Sequence, residues 1–402
     1  MGQIVDNLNS VGIYPFIDVH QDVLSSAFCL YDGAPSWVID KAEPATHEFP
    51  WPLKPIYDDG SPDPNCPYSR PWFQNYFIEG CGKAFEGLYL NHNGMRDDFS
   101  NFYRETALFF KDKNILGYEI LNEPWAGDIY SRPELLLPGK AGSLNLMPFY
   151  DAVVPEIRKV DSNHIILYEP VTWGMILNGE VIGTGFDKTP NDAPELSALS
   201  FHYYCWWITD DEQSRKTCDS LFFPKVLNQV TRDISRTGGA AIMTEWGQAC
   251  SPDADPNGLG NQECYSIQKS SDDFFMSWTD WYFGGSLNDH SWNPPNLAAN
   301  IRVFSRTYAR SIAGTPESMS FDPITSAFSL CFRGSSADDT LELTSSISEI
   351  YANFNLYYPN GYNLTMTRNL ILAGPIDTSK GLIHIKSISS LPLLHCMNLT
   401  AL

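Results

Sequence analysis

Two glutamates stand where paired carboxylates could do chemistry. Glu123 lies in Leu121-Asn122-Glu123-Pro124 and Glu245 in Thr244-Glu245-Trp246-Gly247, each at the end of an apolar run. One protonated carboxyl beside one ionised carboxylate is the apparatus for cleaving a glycosidic bond. The acid protonates the departing oxygen while the carboxylate attacks the anomeric carbon. Identical side chains divide these roles only where their surroundings push their proton affinities apart. Each motif also has a plain structural reading. Asn-Glu-Pro suits a helix start, with Asn as cap and Pro in the first turn, and Thr-Glu-Trp-Gly suits a solvated strand exit. Their order and their separation of 122 positions, about three strand–helix units of a barrel, favour the catalytic reading.

Other strand-end residues could bind the sugar. Asp18-Val19-His20-Gln21-Asp22 offers Asp18, His20 and Asp22 to hydroxyl groups. A metal would need more ligands than the sequence places there; a satisfied core histidine is the bland alternative for His20. His202-Tyr203-Tyr204 ends another run, and a Tyr hydroxyl there could hydrogen-bond the nucleophile. Strand alternation lets only one of the two tyrosines face inward. Trp278 and Trp281 offer an indole platform for a sugar ring, one of them at most facing the site. Asp253-x-Asp255-x-Asn257-Gly258 resembles the start of a calcium loop, but Cys264 stands where its twelfth-position Glu belongs, so it reads as a polar turn. No Walker loop, His-Glu-x-x-His or Gly-x-Ser-x-Gly occurs, and no cofactor or metal is called for.

Something must hold these residues at one mouth. Six apolar runs serve as strand candidates: 13–22, 115–124, 164–170, 196–204, 240–247 and 274–283. Amphipathic helix candidates fall between them at 97–113, 147–161 and 223–238, the last capped by Gly238. Residues 3–12 read as the tail of a helix. Buried strands alternating with helices indicate a parallel sheet. With no Gly-rich fingerprint after any strand, a (β/α) barrel fits better than a dinucleotide-binding sheet. Residues 31–92, rich in Pro, Gly and aromatics, read as a long loop insertion over one end. After Gly314 the texture changes to short strand-like runs separated by turns, as in a small antiparallel β-sandwich.

The composition narrows the field. The chain has 402 residues, 43 % apolar and 18 % charged, enough to bury a large core. A net charge of −22 opposes nucleic-acid binding, which needs cations to displace counterions. It also opposes purely electrostatic docking on an anionic membrane. No apolar run is long enough to span a bilayer. Nine cysteines with no Cys-x-x-Cys pair suit disulfides, and Cys66–Cys81, Cys205–Cys218 and Cys250–Cys264 are the sequence-local candidates. The sequons at Asn363 and Asn398 are compatible with secretion. The N-terminus, MGQIVDNLNSVGIYPF, does not read as a signal peptide.

The runs FIDVHQDV, YEILNEPWAG, SFHYY and MTEWG, with Gly33-Ala34-Pro35-Ser36-Trp37, resemble the endoglycoceramidases of glycoside hydrolase family five. The resemblance covers nearly the whole chain. It implies retaining cleavage of the β-linkage between an intact oligosaccharide and ceramide, on a glycosphingolipid at a membrane or micelle surface. Glu123 would be the acid/base and Glu245 the nucleophile. Asn122 would hold the sugar 2-hydroxyl, and His20 with Asp18 or Asp22 would line the glycan side. Tyr204, rather than Tyr203, would contact the nucleophile, with His202 a further substrate-binding residue and a Trp of the last strand under the sugar.

The family carries two earlier barrel strands. The expected fold is thus a (β/α)8 TIM barrel lacking its first two βα units over 1–313, followed by a β-sandwich over 314–402. Such an open barrel exposes sheet edges, so activity is expected of the longer parent enzyme, secreted or lysosomal. Two other readings compete. One is a related β-glucosidase acting on glucosylceramide or steryl glucoside, or a β-glucanase. The other is an inactive carbohydrate- or lipid-binding homologue.

Overall fold

Continuous apolar runs become strands of a parallel sheet. Six do so in the computed structural model of this chain. It describes all residues except 29–31, 55–71, 172–182, 206–210, 248–249, 253, 282–284, 287–290, 293–296, 335–346 and 390–391. The strands are β1 (Ile17–Asp18), β2 (Gly117–Glu119), β3 (Ile165–Tyr168), β4 (Ser197–Tyr203), β5 (Ala240–Trp246) and β6 (Ser277–Trp278). They form one sheet in chain order, and the β1–β2, β2–β3 and β3–β4 pairs are parallel. This is a six-stranded half-barrel sheet. Every residue of β4 is buried. At Gly117 a Cβ would stand 2.0 Å from the Ile165 carbonyl oxygen, so glycine permits the β2–β3 approach.

Helices run Gly2–Ser10, Met95–Phe110, Met147–Arg158 and Phe223–Thr237, each within a turn of its expected limits. In Met95–Phe110 the buried residues include Tyr103, Ala107 and Phe110, the three-to-four spacing of a core-facing stripe. Gly238 follows Phe223–Thr237 with φ +81°, the left-handed stop that glycine favours.

Residues 31–92 are not one loop. A helix runs Glu79–Leu90 and is buried along most of its length. Its three glycines and three charges disguise it in sequence. Gly82 lets the Gly127 carbonyl come close, Lys83 lies 3.6 Å from Asp128, and Glu86 pairs with Arg132. The partners that make burial tolerable lie about 45 residues downstream, beyond the reach of local patterning.

A hairpin of β7 (Gly285–Ser286) and β8 (Ser291–Trp292) precedes the C-terminal strands. These are β9 (Tyr308–Ser311), β10 (Gly314–Asp322), β11 (Ala327–Gly334), β12 (Ile347–Tyr351), β13 (Tyr362–Met366), β14 (Leu370–Leu372), β15 (Leu382–Ser387) and β16 (Leu394–Ala401). Two four-stranded sheets result, ordered β10-β11-β16-β13 and β14-β15-β12-β9. Phe328, Leu330, Phe332, Ile350, Ile383, Ile385, Met397 and Leu399 form their core, the alternate inward positions of β11, β12, β15 and β16. Both sequon asparagines, Asn363 and Asn398, are exposed on neighbouring strands.

Disulfides join Cys205 to Cys218 and Cys250 to Cys264, as expected, and also Cys331 to Cys396. The third pair sits directly opposite across β11 and β16, a neighbour relation created by the sheet. The expected Cys66–Cys81 bridge is corrected: Cys81 is a free, fully buried thiol, on the inner side of Glu79–Leu90 with Val23 O at 3.8 Å. Cys66 lies outside the described residues, as do Cys29 and Asp253 of the calcium-like turn. Among the described residues no helix is long and apolar enough to cross a membrane.

The chain divides into two compact units, residues 1–202 with 225–244, and residues 203–224 with 245–402. In the second, Asp219 meets Glu263 of helix Leu259–Asp273. Burial, then the hydrogen bond and charge of Asp219, push the Glu263 carboxyl up to about 8, against the pull of Arg215. Burial raises Asp219 also. The pair therefore shares a proton at neutral pH. An unfolded Glu titrates near about 4.3, so between there and about pH 8 the folded chain binds more protons than the unfolded one. Stability from this group is present at low pH and is lost as pH rises through that window. The Glu263→Gln variant cannot lose this proton. Its melting temperature, followed from pH 5 to pH 9, is expected to gain on wild type as pH rises; parallel curves would refute the shared proton.

Candidate active site

β2 carries the first glutamates. Glu119 ends the strand and is buried. Burial and the Asp18 charge push its carboxyl up to about 7, against His202 and the hydroxyls of Ser200 and Thr244. Thr244 Oγ1 donates to it at 2.9 Å. Four residues on, Glu123 takes φ +38°, a region that a side chain enters only under constraint; Pro124 restricts it further. Its backbone is held on both sides. The N–H donates to Glu169 Oε2 at 2.7 Å, and the carbonyl accepts from Gln21 Nε2 at 3.1 Å. Gln21 Nε2 also reaches the Asn122 carbonyl at 2.7 Å, and Asn122 Nδ2 donates back to the Gln21 carbonyl at 3.1 Å. The Glu123 carboxyl oxygen Oε1 lies 2.9 Å from His202 Nδ1. His202, expected among the substrate-binding residues, is 2 % exposed and has its Nδ1 against the Glu123 carboxyl.

The end of β1 is charged. His20 lies 3.2 Å from Asp18 and 3.7 Å from Asp22. Burial alone would lower its proton affinity, but the bonds to Asp18 and Asp22 outweigh it and raise the imidazole to about 10. His20 is thus a cation between two carboxylates, part-exposed as a sugar-binding group must be. Asp32 stands close enough to join His20 and Asp22 in a ligand-like cluster. An apolar cavity of about 390 Å³ opens nearby, lined by Val19, Leu24, Trp37, Leu88, Phe99 and Phe102 among others.

The second unit holds the other glutamate. β5 ends at Glu245 and Trp246. Tyr204 donates its hydroxyl to Glu245 Oε2 at 2.8 Å. Tyr203 instead packs on Phe223, with ring centroids 4.4 Å apart. Trp246 is buried and meets Trp278 edge-on at 5.2 Å. Gly247 has φ +131°, and a Cβ there would crowd the Asp280 carboxyl at 2.6 Å. Burial pushes Asp280 up to about 7. Trp281 is 47 % exposed, open enough to stack on a ligand. One glutamate therefore lies against an imidazole and the other against a phenol hydroxyl, and such contrast lets identical carboxyls serve different steps. Gln21, Glu119 and Glu169 escaped notice in sequence; the only signal was a polar residue at a strand end.

Half-barrel sheet and carboxyl-bearing strand ends define an O-glycosyl hydrolase. Residues 1–284 match the family model described as cellulase (glycosyl hydrolase family 5), and residues 306–386 match the glycoside hydrolase family 5 C-terminal domain. The chain belongs to glycoside hydrolase family 5. It is 33 % identical over 384 residues to an endoglycoceramidase of Hydra vulgaris, covering 91 % of this chain and 67 % of that one. It is 32 % identical over 381 residues to an endoglycoceramidase of Cyanea nozakii, covering 90 % and 70 %. A solved structure of endo-glycoceramidase II from Rhodococcus sp. in complex with ganglioside GM3 shares the fold, with a TM-score of 0.74 at 18 % identity, covering 100 % of this chain and 83 % of that one.

Proposed function

We propose that the chain hydrolyses the β-glycosidic bond between an oligosaccharide and ceramide in glycosphingolipids, with retention of configuration. The observation that carries this reading is the 33 % identity over 91 % of the chain to an endoglycoceramidase. Glu245 is the nucleophile; the Tyr204 O–H donates to its Oε2, and a hydrogen bond donated to a carboxylate favours the anion. Glu245 attacks the anomeric carbon as Glu123 passes its proton to the departing ceramide oxygen. A glycosyl-enzyme ester and free ceramide result. Glu123, now a base, takes a proton from water, whose oxygen displaces Glu245 from the sugar. Asn122 holds the 2-hydroxyl, Asp18, His20 and Asp22 the glycan, and Trp278 or Trp281 the ring at the scissile bond. The apolar cavity at Trp37 and Phe102 is the candidate ledge for the lipid.

The six strands take the places of the third to eighth of an eight-stranded barrel, with Glu123 and Glu245 after the fourth and seventh. Three disulfides among the described residues and two exposed sequons support an oxidising, lumenal or extracellular setting.

A glycosphingolipid with a fluorescent acyl chain tests the reading. Labelled ceramide appearing in one step with an intact oligosaccharide is the expected product. A ladder of shortened glycolipids would overturn endo-cleavage in favour of an exo-glycosidase.

A further inference from the structure

Glu169 carries a carboxylate that the proposed reaction does not consume. It follows the last residue of β3 and is 0 % exposed. Burying a carboxylate is costly unless it is paired and hydrogen-bonded, so its partners matter. Oε2 accepts the Glu123 backbone N–H at 2.7 Å. Oε1 stands 3.7 Å from Nδ1 of His202, the nitrogen that also lies 2.9 Å from the Glu123 carboxyl. The Glu169 main chain is itself anchored, its carbonyl accepting the Tyr150 hydroxyl at 2.6 Å. Glu169 therefore touches both the backbone and the side-chain partner of one residue, and that residue has the strained φ of +38°. Such conformations persist only where their surroundings over-determine them. Gln21 constrains the carbonyl side; Glu169 constrains the amide side.

We propose that Glu169 is a positioning residue for Glu123. Its carboxylate holds the Glu123 main chain in the left-handed conformation and keeps His202 against the Glu123 carboxyl, so that the proton donor faces the departing oxygen. This rests on the reading of Glu123 as the acid. A carboxylate is the better acceptor because a charge-assisted hydrogen bond is roughly twice as strong as a neutral one, and the bond offsets backbone strain. Hydrophobic filling would pack as well but would leave the Glu123 N–H without this acceptor.

The test compares leaving groups. A lipid alkoxide departs only with a proton, whereas 2,4-dinitrophenolate departs without one, so misplacing the acid harms only the first class. In Glu169→Ala, kcat/KM on a glycosphingolipid or an alkyl β-glycoside is expected to fall by about 10²- to 10³-fold. On the dinitrophenyl glycoside it should fall by less than about threefold, the fall residing in kcat. Glu169→Gln keeps an acceptor oxygen and should recover at least about tenfold of the loss. An equal loss on both leaving groups would mean a merely structural role and would overturn the proposal, as would no loss. Crystal structures of both variants supply a readout that needs no turnover. Glu123 is expected to leave its positive φ in Glu169→Ala; retention near +38° would also overturn it. If wild type cleaves alkyl glycosides but no glycosphingolipid, the substrate reading fails while the Glu169 comparison proceeds on alkyl glycosides. If wild type cleaves nothing, the crystal structures alone decide.

Discussion

Glu245→Gln is expected to lower kcat on a β-linked glycolipid by about 10⁴- to 10⁶-fold, roughly 5 to 8 kcal/mol of lost transition-state stabilisation. An amide has nearly the carboxylate's shape but no anionic oxygen to form the ester, so covalent catalysis ends while the space is conserved. The Tyr204 hydroxyl, 2.8 Å from Oε2 in wild type, can still donate to an amide oxygen. The fold and ligand affinity should therefore survive. Calorimetric titration with the free oligosaccharide should give a dissociation constant within about threefold of wild type, the range expected when a contact only in the transition state is removed. Turnover within tenfold of wild type would remove Glu245 from the mechanism. Loss of binding together with turnover would instead indicate a damaged site.

Glu123→Ala should produce a split effect. With no acid, the lipid oxygen must leave as an alkoxide, and turnover of the glycosphingolipid should drop by about 10³- to 10⁴-fold. A dinitrophenyl glycoside leaves without help, so the glycosyl-enzyme still forms and accumulates because no base activates water. Added azide needs no base and fits the space of the lost carboxyl. It should raise the rate and yield a β-glycosyl azide, detected by proton NMR through the anomeric coupling. That product reports both the role of Glu123 and the two inversions of a retaining path. An α-azide, or no rescue, would contradict the assignment.

The environment of these glutamates was less legible than the glutamates themselves. Glu123 and Glu245 stood out because a carboxylate closing an apolar run has no packing reason to be there. Tyr204 could be paired with the nucleophile only down to a choice between adjacent tyrosines, and the packing of Tyr203 on Phe223 made the choice. His202 is expected among the substrate-binding residues from its place at a strand end; its burial against Glu123 depends on where β2 places that carboxyl. The helix Glu79–Leu90 read as loop because its Gly, Lys and Glu residues find their close contacts and ion pairs in the 127–132 stretch. Cys81 read as half of a local bridge because loop length is all a sequence shows of a thiol's reach.

By itself the sequence determined the local terms. Continuous apolar runs dictated six strands, the three-to-four stripes dictated the helices between them, and the alternation after Gly314 dictated a sandwich. These follow from periodicities carried by neighbouring residues, each favourable whatever lies elsewhere. Only the tertiary structure decided which buried polar atoms meet: Glu169 with the Glu123 amide, Gln21 with two successive carbonyls, Asp219 with Glu263, Cys331 with Cys396. Burying such groups is costly until a partner arrives from a distant stretch, and that partner exists only once the chain has closed on itself.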